Sequence, residues 1–349
     1  MRRLVIPLFI AVLIGLPIGV AYFLPSARKV DHLAPIKETI ARRDFSTARK
    51  DLDAYLNRNP DDREAHLLAA QTARRADDGP AAEKHLQRYR ALGGNSEIIE
   101  REQAMRRYQN GEIDEFAEVI SFCSTNAEDP LTPLMLEALA RGILLAGSPN
   151  QAITCLDLWL SHSLSPADRV QGLVWRGLAL EKMGLAPEAA ADYRTLLAID
   201  PNHAEARFRL AEYQTRDEPR EAFVQFQRLD RETPGRPEVQ LGLARCHRQL
   251  GEHATALSII TQLLAARPND LDVLTEAGTL ALDRGKPAEA EPLLRKAITL
   301  SPYRLIANVQ LLQCLQELGK ADDAEVQRSK VKKIDEEIQK RIDAMTRKP

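Results

Sequence analysis

The sequence predicts an all-α chain: a solenoid of about nine helix-turn-helix repeats, preceded by one transmembrane helix. Three observations predict it. The stretch GEHATALSIITQLLAARP, Gly251 to Pro268, is answered 34 residues later by GKPAEAEPLLRKAITLSP, Gly285 to Pro302, with the Gly, Ala, bulky apolar and Pro positions in register. A fixed period of this size marks stacked helical hairpins, each burying its apolar face against its neighbours. Between the Gly and Pro punctuation, apolar residues recur at helical spacing. Near the N-terminus, Leu4 to Leu24 form an uncharged run of 21 residues, long enough for a helix that crosses a bilayer.

The repeat positions can be followed along the chain. A small residue opening the second helix of each unit recurs at Ala48, Ala82, Ala152, Ala189, Ala222, Ala256, Ala290 and Ala324, with Phe116 in its place in the third unit. Gly111, Gly147, Gly184, Gly251, Gly285 and Gly319 follow the first helix, helix A, where a left-handed residue ends a helix without a steric penalty. Pro80, Pro149, Pro187, Pro219 and Pro287 fall at the start of helix B, where the missing amide hydrogen is unpaired anyway. Pro60, Pro201, Pro234, Pro268 and Pro302 lie just past helix B and stop it. Close helix crossings require small residues, and Gly177, Ala244 and Gly278 supply them on helix A.

Four segments follow: residues 1–29 as membrane anchor or signal segment, 30–169 as divergent repeats, 170–325 as well-formed repeats, and 326–349 as a charged C-terminal capping helix. The N-terminal run fits a retained anchor or a signal peptide cleaved after Gly19-Val20-Ala21. Its length favours the anchor over a signal core of about 7–15 residues. Pro7 and Pro17 are tolerated in membrane helices. Arg2 and Arg3 favour a cytoplasmic N-terminus, whereas Arg28, Lys29, Arg42 and Arg43 pull the other way. The three-residue tail resembles a secretory signal-anchor, which places the repeats outside the cytoplasm; a cytosol-facing array or a secreted chain are the alternatives. At the other end, Val331, Ile334, Ile338, Ile342 and Met345 form a narrow apolar stripe, suited to covering the last unit's open face.

Composition excludes several function classes. The charge is nearly balanced, 48 basic against 50 acidic residues, so there is no basic footprint for nucleic acid. Four cysteines without CxxC spacing point to neither zinc nor a disulfide scaffold. No P-loop, GxGxxG, HExxH or GxSxG occurs, and the seven histidines are scattered, so no enzyme, metal site or cofactor is expected. His247 reads as a packing residue, and Cys246 and Cys314, at equivalent positions, as small hydrophobes.

Leu210-Ala211, Leu243-Ala244, Gly184, Ala189, Tyr193 and Pro201, with the whole run Gly251–Pro302, resemble the tetratricopeptide repeat family. The resemblance is strong over 170–325 and weaker over 32–169; the third unit departs most, with Phe116 and Arg106-Arg107. It implies a right-handed superhelix whose A helices line a concave groove for protein or peptide partners. It further implies that Arg101, Tyr108, Glu137, Arg141, Phe208, Glu212, Leu241, Arg245, Arg248, Thr275 and Gln313 face that groove. The functional expectation is a membrane-anchored scaffold. Phe208 would offer apolar contact, Glu212 would stand beside it, and Arg141, Arg245 and Arg248 would pair with acidic groups of the partner, since a guanidinium holds a carboxylate bidentately. An accessory subunit positioning an envelope enzyme or an export or assembly machine is the alternative.

Overall fold

Helix A and helix B alternate through the computed structural model, which describes residues 31–346; all regular structure among them is helical. The N-terminal half begins with α1 (Ala34–Ala41) and α2 (Phe45–Leu56). It continues with α3 (Arg63–Arg75), α4 (Gly79–Ala91), α5 (Ser96–Gln109) and α6 (Phe116–Thr125), then α7 (Thr132–Leu145) and α8 (Pro149–Ser161). The middle is α9 (Pro166–Lys182), α10 (Ala186–Ile199), α11 (Ala204–Gln214) and α12 (Pro219–Glu232). The C-terminal part is α13 (Pro237–Gln249), α14 (His253–Ala266), α15 (Leu271–Asp283), α16 (Pro287–Leu300), α17 (Leu305–Glu317) and α18 (Ala321–Thr346). Taken in pairs these are nine units, all but the third closed as hairpins. Leu4–Leu24 lies outside the described residues, and no helix among those described is long and apolar enough to cross a membrane.

Ala48, Ala152, Ala222, Ala256 and Ala290 are fully buried at the opening of their B helices, where a larger side chain would push the hairpin apart. The expected glycines after helix A all have positive φ, from 67° to 86°. Units one, two and six have no glycine there; in unit six Asp217 holds the position without a positive φ, but in the first two units the turn stays left-handed. Arg43 (φ 59°) and Asp77 (φ 65°) adopt the left-handed conformation instead, a strained one for residues with a Cβ. Both are held in it by distant partners, described below. A second recurring device ties helix A to the proline turn before it. His66 Nε2 lies 3.0 Å from the Pro60 carbonyl and Asn308 Nδ2 donates to that of Pro302 at 3.1 Å; Arg207 donates likewise to Pro201.

The third unit is rearranged. α5 packs directly along α7, while α6 meets α7 only at its edge and α4 barely touches α5. Gly142 permits this, because a Cβ there would overlap the Tyr108 carbonyl. The opening between α4 and α5 leaves a cleft of about 680 Å³ lined by Arg74, Arg106 and Arg107. Phe116 at the small position accounts for the change: it cannot sit in a close crossing, so α6 gives way and α7 takes its place.

The N-terminal half closes on itself. Arg43 Nη1 donates to Glu137 Oε1 and Asp168 Oδ1, each at 2.7 Å. Arg75 Nη2 donates to Asp168 Oδ1 at 2.5 Å, and its Nε lies 2.8 Å from Glu137 Oε2. The ring of Phe45 lies against both guanidinium groups, 4.7 Å from that of Arg75 and 5.3 Å from that of Arg43. Units one and two are thereby clasped to units four and five. Asp77 is tied into the same region: Gln109 donates to it at 2.8 Å, and Arg141 pairs with it.

α18 packs on α17, with Ala324, Gln327 and Ile334 buried, and it also touches α8. Val331 and Ile342 are half-buried and Ile338 is more exposed; the side chain of Met345 lies outside the described residues. The boundary at 169/170 falls within α9 and that at 325/326 within α18, so both mark changes in pattern strength rather than in structure.

Candidate binding face

The A helices stand on the inner side of the array. Consecutive A helices α11, α13, α15 and α17 touch one another, whereas consecutive B helices of those units come into less contact, which puts the A helices on the shorter radius. This inner side brings Glu212, Arg245 and Arg248 together. Arg245 lies 3.6 Å from Glu212 on α11 and 3.5 Å from Glu276 on α15. Arg248 donates Nε to Glu276 at 2.5 Å and Nη1 to Asp283 at 2.9 Å. The result is a ladder, Glu212–Arg245–Glu276–Arg248–Asp283, crossing three A helices with an acid at each end. Burial pushes the Glu212 carboxyl above the usual carboxylate range, against the pull of Arg245.

Sequence reasoning missed Glu276, the buried centre of this ladder. Its signal was a lone acid in the apolar middle of α15, LDVLTEAGTLALD. Arg141 is not part of the ladder; it pairs with Asp77 in the N-terminal half. Phe208 is only 8% exposed, with its ring edge-on to Phe226 and the Arg236 guanidinium 5.1 Å from its centre. It belongs to the core under the face rather than to the face itself. Leu241 and Thr275, one and two units further on, are buried in the same way.

The last unit breaks the pattern. At the position of Ile306, the three preceding A helices carry Glu205, Glu238 and Asp272, each paired with an arginine: Arg209, Arg267 and Arg304. Ile306 is 57% exposed, and Val309, at the position of Leu241 and Thr275, is 40% exposed. Tyr303 lies beside them in the turn before α17, more exposed still. An apolar side chain thus replaces solvated ion pairs at Ile306, and a position buried in earlier units opens at Val309, where the inner face reaches its C-terminal end.

Among the described residues no group of three or more His, Cys, Asp or Glu side chains is arranged to hold a metal ion. His247 is half-buried, edge-on to Phe223 with Nδ1 2.6 Å from Glu252, and all four cysteines are buried and free.

Tetratricopeptide repeat profiles match residues 38–97 and 176–218, and 215–275 and 281–337. Among curated proteins none matches the sequence. A tetratricopeptide repeat protein from Parabacteroides merdae ATCC 43184 superposes with a TM-score of 0.52 at 18% identity, over 82% of this chain and 99% of that one. YrrB, a repeat protein with an unusual peptide-binding site, aligns with a TM-score of 0.41 at 18% identity, over 55% of this chain and 97% of its own. PilW, a type IV pilus biogenesis factor, gives 0.45 at 17% identity, over 57% and 91%. The profiles together span more than half of the chain, and the helical units are built on the repeat's own Gly, Ala and Pro positions: the chain belongs to the tetratricopeptide repeat family.

Proposed function

We propose that this chain is a membrane-anchored scaffold that receives a protein or peptide segment on the inner face of its C-terminal units. Tetratricopeptide repeat proteins are in general scaffolds for protein interaction. The observation that carries the finer reading is the exposure of Ile306, where the preceding units place solvated ion pairs, and of Val309, where they place buried side chains. An apolar side chain of the partner rests there, and the ladder of Glu212, Arg245 and Arg248 supports its polar groups. Because each arginine already has an acid, an incoming carboxylate shares a guanidinium, which has five donors. Phe208 and Arg141 contribute by holding the fold. The anchor is Leu4–Leu24, with the array outside the cytoplasm; protease protection in sealed vesicles tests that orientation.

The test is recovery of a partner by crosslinking in native membranes, with Ile306→Asp and Val309→Asp combined in one variant. Both residues are exposed, so the melting temperature is expected to stay unchanged while the partner is lost. Retention of the same partner by the folded variant overturns the reading. Reversing Arg245 and Arg248 is a poorer test, since it leaves the buried Glu276 without a cation and destabilises the array itself.

A further inference from the structure

Inside unit two, His66 on α3 and His85 on α4 meet with their Nδ1 atoms 3.1 Å apart. The ring centroids are 5.4 Å apart, which is the nitrogen separation plus the two ring radii. The two nitrogens therefore lie on the line between the rings and point at each other. Lone pairs so aimed share a proton; they do not converge on a third point where a metal ion would sit. The tautomers follow from the outer contact. His66 Nε2 faces the Pro60 carbonyl at 3.0 Å, and a carbonyl only accepts, so this nitrogen carries hydrogen. In the neutral ring Nδ1 of His66 then accepts, and His85 donates its Nδ1–H.

Unit nine has the same construction without a titrating group. Asn308 donates to the Pro302 carbonyl six residues before it, and its Oδ1 accepts from Gln327 Nε2 at 2.8 Å, 19 residues on. His66 and His85 have the same two separations, six and 19 residues. Both pairs fasten helix A to helix B and to the proline turn. Only the histidine pair changes with pH.

We propose that His66 and His85 form an acid-sensitive latch, which holds one proton between the two rings and is opened by a second bound proton. A first proton enters at His85 Nε2, the nitrogen without a fixed role, and every hydrogen bond survives. A second has only His66 Nδ1 to occupy, and there it removes the acceptor and sets two cations face to face. The charged groups around the pair are balanced: Arg49 and Asp53 on α2, Asp61 and Asp62 in the turn, Lys84 and Arg88 on α4. Burial, and next the nearness of His66, push the His85 imidazole below the usual histidine range. Its folded value lies under the unfolded one, so the unfolded chain binds more protons and stability falls as pH drops below about 6.5. α3 also carries Arg75, so opening the latch loosens the helix that supplies half of the cations in the N-terminal clasp.

The test uses unit nine's own solution. His66→Asn and His85→Gln, combined in the full chain, keep the hydrogen bonds and remove the titration. Between pH 7.5 and 5.0 the wild-type melting temperature is expected to fall further than that of the variant, by roughly 2–4 °C for about one proton of difference in a chain of this size. An equal fall in both overturns the proposal. Should the variant not fold, the wild-type ring nitrogens are followed by ¹⁵N NMR. While the chain stays folded, the two rings are expected to hold three ring protons between them and not four. Both rings becoming doubly protonated together with the exposed histidines overturns it as well.

Discussion

Arg75 and Asp168 are 93 residues apart in sequence, and the Arg75 guanidinium holds the Asp168 carboxylate at 2.5 Å. No repeat period generates such a contact, because the period relates only neighbouring units. Asp168 is placed by the start of α9, where Ser165 caps the helix and its hydroxyl also donates to the Asp168 carboxylate at 2.9 Å. With Arg43 and Glu137 the pair forms a four-member cluster of zero net charge, screened from water. Such clusters contribute little over an apolar core when whole and cost much when broken. Glu137→Ala leaves two guanidinium groups to one carboxylate and is expected to destabilise the chain by about 3–5 kcal/mol. Chemical denaturation measures this, and an unshifted midpoint speaks against a closed N-terminal half.

Gly142→Ala is expected to separate α5 from α7 and to cost more than the usual 1–3 kcal/mol of an overpacked core, since the new methyl meets the Tyr108 backbone rather than a side chain that can move. Gly147→Ala, at a φ of 73° with nothing near its Cβ direction, carries only left-handed strain of about 1–2 kcal/mol. Melting curves that reverse this order contradict the packing described for unit three.

Ala256→Leu or Ala290→Leu should each destabilise by about 1–3 kcal/mol, because both alanines are fully buried at the opening of a B helix. Unchanged melting of both variants means that these crossings are not close-packed.

Much of the array was legible because its causes are local. A left-handed turn favours glycine, a helix start accepts proline, and a close crossing favours alanine, so Gly251, Pro287 and Ala290 announce their own structure. The closure of the N-terminal half was not legible. Arg43 and Asp77 stand where six of the other units have glycine, and they are held there by Glu137, Asp168, Gln109 and Arg141 from later helices. Glu137, the one acid in α7, was the available signal. On the inner face, helical spacing puts Arg245 and Arg248 on one side, where both meet Glu276, but spacing carries no news of Glu276 between them. Phe208 was assigned to the groove because it is aromatic on helix A, and it is buried because Phe226 of the next helix reaches it.

Four free thiols are expected even in an oxidising compartment. Burial pushes Cys123 and Cys246 up to about 11 and raises Cys155 and Cys314 as well. Thiolate is the reactive form, so at pH 8 only about one part in a thousand of Cys123 or Cys246 is available in the folded chain. Alkylation should be slow in the native protein and give four labels in denaturant without reductant; fewer than four would show a disulfide.

Position-specific photocrosslinking tests the binding face most directly. A photoreactive residue is placed at Val309 on the inner face, and in a second version at Val224, which is more open to solvent on the B helix α12. The expected result is a discrete partner adduct from position 309 in native membranes, absent from position 224 and lost when Ile306→Asp is added. Adducts from 224 and none from 309 contradict an inner binding face.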